Sequence, residues 1–186
     1  MSETASMEYG ELHVTDGRGV LRFTRRLNHP PEKVWAALIE PEQLAAWFPT
    51  TIDGQRAAGA SLTFRFEQID GIDPMHGEML AFDPPALLEL TWGGDRLRFE
   101  LSPDGDGTTL HFTVWLDELG KATRDGSGWH QCLDSLDRSL SGDPDRPDDA
   151  GGWRSLRDTY AERFGPEASV LGPPKEWEEK YGGDDG

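Results

Sequence analysis

The sequence predicts one α+β domain, a curved antiparallel β-sheet around a long C-terminal α-helix, with two short helices after the first strand. Three observations predict it. Six stretches alternate apolar and polar residues, and the last five follow one another at hairpin spacing. Between the first and second of them the apolar period becomes helical. After the last, "GSGWHQCLDSLDRSLSG" (residues 126–142) puts Trp129, Cys132, Leu133, Leu136 and Leu140 within an arc of about 100° on a helical wheel.

Taken in order, "GVLRFTRRL" (19–27) sets Leu21, Phe23, Arg25 and Leu27 against Arg22, Thr24 and Arg26, and Asp16-Gly17 before it reads as a tight turn. In "NHPPEKVWAALIEPEQLAAWFP", Pro30 and Pro31 suit a helix's first turn and Glu32 its positive end. Val34, Trp35 and Leu38 form the apolar stripe. Pro41 ends that helix and opens a short second one, carrying Leu44 with Trp47-Phe48 at or just after its end. "ASLTFRFEQ", "HGEMLAF", "ALLELTW", "RLRFEL" and "TTLHFTVWL" are the five later strands, joined by turn sequences such as "DPP", "GGD" and "SPDGDG". The long helix ends at Gly142-Asp143-Pro144. Residues 143–152 read as a linker, and Trp153, Leu156, Tyr160 and Phe164 space out an accessory helix over 153–165. Residues 1–10 read as a flexible N-terminus and 166–186 as a mobile acidic tail, with the main domain at 11–142.

The formal net charge of −17 sets the surface against phosphate backbones and anionic membranes, so no nucleic-acid partner is expected. "RFTRR" does not reverse this, because strand alternation splits its charges between two faces. A single cysteine excludes an intramolecular disulfide and any cysteine-based zinc site. No secretory signal is visible at the start and no apolar run is long enough for membrane insertion, so a cytoplasmic protein is expected.

His130 and Cys132 invite a test as a nucleophile with its base. Two positions apart on a helix they lie about 200° apart, so they form no dyad, and Cys132 falls in the apolar arc as a small hydrophobe. Ser127, His130 and Asp134 do share a face. Ser127, however, reads as a helix cap, no oxyanion hole is suggested, and the face is expected to be solvated. His13, His29, His76 and His111 lack ligand spacing, and neither "GSG" nor "DGDG" has the context of a phosphate loop. No metal and no cofactor is expected, and no catalytic residue is nominated.

Arg25 lies on the strand face expected to look inward, where a guanidinium must be paired. It is either a structural ion pair or snorkelling edge residue, or an anchor for an acidic or carbonyl group of a ligand. Trp35, Trp47, Phe48, Phe64, Phe66, Trp92, Phe99, Phe112 and Trp129, with Leu133, suit a packed core or the wall of an apolar pocket. Trp47-Phe48 would stand at its mouth.

"LRFTRRLNHPPEKVWAALIEPEQLAAWF", "HGEMLAFDPPALLELTW", "RFELSPDGDGTTLHF" and "GWHQCLDSL" together resemble the activator of Hsp90 ATPase homologue-like family, within the START-like superfamily. The resemblance spans about residues 11–165 in the same order. It implies the helix-grip (START/Bet v 1-like) fold, with a deep cavity between sheet and helix. It does not choose among that superfamily's carriers, cyclases, hydroxylase subunits and co-chaperone domains. Relatives often carry a histidine near the end of the last strand, in a "TrLtlTH" pattern. Val114 stands at the matching position here, so a role for that histidine is not available.

The expectation is therefore a non-catalytic domain binding a small apolar or amphipathic ligand between sheet and helix. The alternative is a protein-interaction module like an Hsp90 ATPase-activating co-chaperone domain, and third a cyclase-like enzyme, for which only Arg25 is available as an inward polar group.

Overall fold

Asp16 (φ 53°) and Gly17 (φ 75°) both adopt left-handed backbone, which lets β1 (Glu11–Thr15) turn directly into β2 (Arg18–Leu27). The structure, a computed structural model, describes residues 9–143 and 152–172. Strand alternation in β2 is strict: Leu21, Phe23, Arg25 and Leu27 are buried, while Arg22, Thr24 and Arg26 are exposed. The chain then leaves the sheet as α1 (Pro31–Ile39) and α2 (Pro41–Leu44), each opened by a proline whose missing N–H costs a first turn nothing.

It returns as β3 (Thr51–Asp53), β4 (Ser61–Arg65), β5 (Met75–Asp83), β6 (Leu87–Trp92), β7 (Asp95–Asp104) and β8 (Gly107–Trp115). The eight strands form one sheet in the order β1-β2-β8-β7-β6-β5-β4-β3, and every pairing is antiparallel. β8 pairs back onto β2, with Phe23 opposite Phe112 and Arg25 opposite Leu110. The register slips between Met79 and Ala81, and such an irregularity bends a strand and sharpens its twist. Close by, a Cβ on Gly77 would stand 2.1 Å from the Thr91 carbonyl oxygen and 2.8 Å from the Phe64 ring, so only glycine fits. The inner face presents fully buried Phe64, Leu90, Leu97, Phe99, Leu110 and Phe112.

A 3-10 turn (Leu119–Lys121) leads into α3 (Ala122–Leu140), 19 residues long. It starts four residues before the expected Gly126, because "GSG" lies inside the helix. Ser127 is thus not a cap: its hydroxyl donates to the Thr123 carbonyl one turn back (2.7 Å). Trp129, Leu133, Leu136 and Leu140 are buried, each burial of this kind contributing about 1.5–3 kcal/mol. The neighbouring arc, expected to be solvated, is buried as well: His130 is 1% exposed and Ser127 not at all. The covering element is α4 (Trp153–Phe164), which brings Tyr160 and Leu156 into the core. Gly126 makes room for it, since a Cβ there would sit 3.1 Å from the Phe164 ring, whereas Gly128 faces open space.

Two further strands were not foreseen. β1 extends the hairpin outward, and β3 is too short, at three residues, to show a period. At the ends, the Gly10 N–H donates to the Tyr160 hydroxyl (2.7 Å), so the chain is docked from before β1. The stretch expected to begin a mobile tail starts with a 3-10 turn (Pro166–Ala168) whose Ala168 is buried, and the Leu171 N–H donates to the Gly120 carbonyl (2.9 Å). Most of the linker, residues 144–151, and the remainder of the tail, residues 173–186, lie outside the described residues. No helix of the described residues is long and apolar enough to cross a membrane.

Candidate functional site

Six aromatic side chains close into a circuit between sheet and α3. Trp47 meets Phe48 (ring centroids 5.3 Å), Phe48 meets Trp92 (5.1 Å), and Trp92 meets Trp129 (5.7 Å). Trp129 stands edge-on to Phe112 (5.2 Å), Phe112 stacks on Phe99 (4.3 Å, 13° between planes), and Phe99 returns to Trp47 (6.1 Å). Phe64 (4.8 Å) and Phe66 (6.2 Å) join at Trp92, and Phe23, absent from the sequence-derived set, joins at Phe112 (5.9 Å). Offset and edge-on contacts of this kind stabilise beyond the area they bury, by about 0.5–1.5 kcal/mol each.

The positions follow from the elements. Phe99 and Phe112 face one another across β7 and β8, Trp92 ends β6, and Trp129 comes down from α3. Trp47 and Phe48 hang from the connection after α2, and Trp47 is held by its indole N–H donating to the Ala37 carbonyl (2.8 Å). Trp92 and Phe66 are only half-buried, so the circuit reaches the surface on that side.

Trp35, Arg25 and Leu133 stand apart from this circuit. Trp35 packs on Phe82 (5.4 Å) beneath α1. Leu133, on α3 one turn after Trp129, is buried. The Arg25 Nη1 donates to Asp134 Oδ1 at 2.7 Å, with both side chains largely buried.

Asp134 also faces His130 Nε2 (3.3 Å), and His130 Nδ1 lies 2.8 Å from the Tyr160 hydroxyl. The Gly10 N–H also donates to that hydroxyl, so Tyr160 ties the N-terminal segment, α3 and α4 together at one atom. Burial would raise the Asp134 carboxyl, but the hydrogen bond from His130 and the Arg25 charge outweigh it and hold the group below its usual range. Burial pushes the Tyr160 phenol up. Burial, helped by the Asp134 charge, pushes the Cys132 thiol up to about 12, which leaves it an unreactive thiol. Ser127, His130 and Asp134 are thus gathered under α4, yet the Ser127 hydroxyl is spent on its own helix and no triad forms.

A third feature is an open groove of about 160 Å³ between α2 and the β3–β4 edge. Leu44, Phe48, Pro49 and Ile52 form its apolar lining, and Thr50 and Thr51 contribute polar groups. Asp53 and Arg65, also in the lining, pair with one another (3.0 Å). None of these except Phe48 belongs to the sequence-derived set.

The profile of a family described as "Activator of Hsp90 ATPase homolog 1-like protein" matches residues 28–141. The chain belongs to this family. A conserved protein of unknown function from Enterococcus faecalis, EF2215, has a similar structure at TM-score 0.70 and 18% identity, covering 83% of this chain and 90% of that one. CalU16 from Micromonospora echinospora gives 0.63 and 20% over 84% and 96%. A protein encoded by gene BPP1335 of Bordetella parapertussis gives 0.64 and 26% over 88% and 95%. No curated protein matches the sequence. With its curved sheet and long C-terminal helix, the chain has the helix-grip fold.

Proposed function

We propose that the protein binds a small, largely apolar molecule between the sheet and α3, at the aromatic circuit. The carrying observation is the circuit itself: eight of the aromatic residues expected to line a pocket are gathered at one end of the core, with few polar groups among them. In the structure these rings contact one another. The movable member is Phe48, which hangs from the α2–β3 connection rather than from the sheet or α3, and whose ring contacts both Trp92 and Trp129 (5.7 Å). Swinging it aside opens the circuit towards the groove, and a ligand ring takes its place against the two tryptophans. Arg25 is not needed as an anchor, because Asp134 already engages its guanidinium.

Native mass spectrometry of the gently purified full chain, followed by thermal shift with what co-purifies or with a panel of apolar ring compounds, tests this. A bound small molecule that raises Tm and quenches tryptophan fluorescence supports it, since binding to the folded state alone stabilises by mass action. A chain that carries nothing, and whose Tm and fluorescence ignore the panel, overturns it. The family description favours a second reading, an interaction module that stimulates an Hsp90-type ATPase. That reading predicts a rise in ATP turnover when the chain is added to such an ATPase, and an unchanged turnover removes it.

A further inference from the structure

Thr50 is one of the least exposed polar residues of the molecule, with 5% of its surface accessible, and its hydroxyl oxygen has no hydrogen-bond partner among the described residues. The neighbouring Thr51 hydroxyl is buried and unpartnered in the same way. Buried hydroxyls are ordinarily paired, because desolvation without a partner is unfavourable. Both residues line the groove that Leu44, Phe48 and Ile52 make apolar. An oxygen of a ligand seated in that groove would supply the partner these hydroxyls lack.

We propose that this groove is a binding subsite for one neutral aromatic ring bearing a hydroxyl or carbonyl oxygen, with Thr50 as its hydrogen-bonding partner. Size, lining and charge each contribute. A volume of about 160 Å³ is that of a single ring: an apolar cavity of about 150 Å³ accommodates benzene. The Thr50 hydroxyl selects an oxygen function over a bare hydrocarbon, because it both donates and accepts. The Arg65 charge is already met by Asp53, Glu67 adds a carboxylate to the lining, and the chain carries −17 overall, so an anionic ring is disfavoured. Phe48 links the subsite to the aromatic circuit, so the assignment rests on the proposal that the chain holds a small apolar molecule and adds the polar end of that molecule.

The experiment is a methyl NMR titration of the full chain with p-cresol, toluene and 4-methylbenzoate, three rings of the same width. p-Cresol should shift the Ile52 and Leu44 methyl signals saturably and bind at least fivefold tighter than toluene, with 4-methylbenzoate weakest. T50V should bring p-cresol down to the affinity of toluene, and T50S, which keeps the hydroxyl, should restore it. Equal binding of p-cresol and toluene by the unaltered protein would overturn the assignment, as would a T50V chain of undiminished p-cresol affinity. A response of the Trp92 and Trp129 indole signals with Ile52 silent would overturn this subsite while leaving the aromatic-circuit proposal standing. Shifts at Ile52 without any tryptophan response would do the reverse.

Discussion

The two sides of α3 solve opposite problems with the same helix. Towards the sheet, Trp129 joins a ring circuit of apolar groups that reaches the surface beside Trp92 and Phe66. Towards α4, His130 and Asp134 join Arg25, Tyr160 and the Gly10 amide in a polar network built around the Asp134 carboxylate and the Tyr160 hydroxyl. A buried charged network loses much when any one member is removed. The first region is the one proposed to accept a guest, and the second ties α4 and the N-terminal segment to α3.

The largest effect is expected from Trp129→Ala, which empties the centre of the circuit. Stability should fall by about 4 kcal/mol in chemical denaturation, and any apolar ligand should lose affinity in the same variant. Next, Asp134→Ala should cost about 3 kcal/mol by leaving Arg25 and His130 without their carboxylate, while ligand affinity stays unchanged. If Asp134→Ala weakened ligand binding as much as Trp129→Ala does, the division into two regions would fail. Replacing the pair together, Arg25→Met with Asp134→Leu, sharpens the contrast: stability should recover most of that loss, because both charges leave at once.

Tyr160→Phe should be milder, about 2 kcal/mol, because it strands the Gly10 N–H and the His130 ring nitrogen without changing shape. Faster amide exchange at Gly10 would report it. The smallest effect is on acidification. Asp134 is held below its unfolded value of about 3.9, so its contribution is complete above that pH and lost as pH falls through the lower folded value. Tm should therefore drop more steeply below about pH 4 in the unaltered protein than in Asp134→Asn, and identical slopes would show that the network is not what titrates.

The aromatic end was legible because strand and helix periods place Phe64, Phe99, Phe112 and Trp129 on inward faces without further information. The α4 side was not. Ser127, His130 and Asp134 are polar, and a polar helical face is ordinarily solvated. The signal that could have found them lay elsewhere, in the apolar stripe of Trp153, Leu156, Tyr160 and Phe164, which needed a surface to cover and found the Gly126 face of α3. Thr50, just before β3, and Thr51, its first residue, gave no signal, since a three-residue strand has too few positions to show a period.

By itself, then, the sequence determined the order of all elements but β1 and β3, the inward faces of the strands, the two short proline-opened helices and the apolar stripe of α3, because each depends on residues close in the chain. Tertiary structure alone decided three further things. Arg25 meets an aspartate 109 positions away, the face of α3 expected to be solvated is buried beneath a second helix, and the rings expected to line a pocket contact one another beside a groove with unsatisfied hydroxyls. Each depends on which surfaces remain uncovered once the sheet has curved, and that is a property of the assembled molecule rather than of any window of its chain.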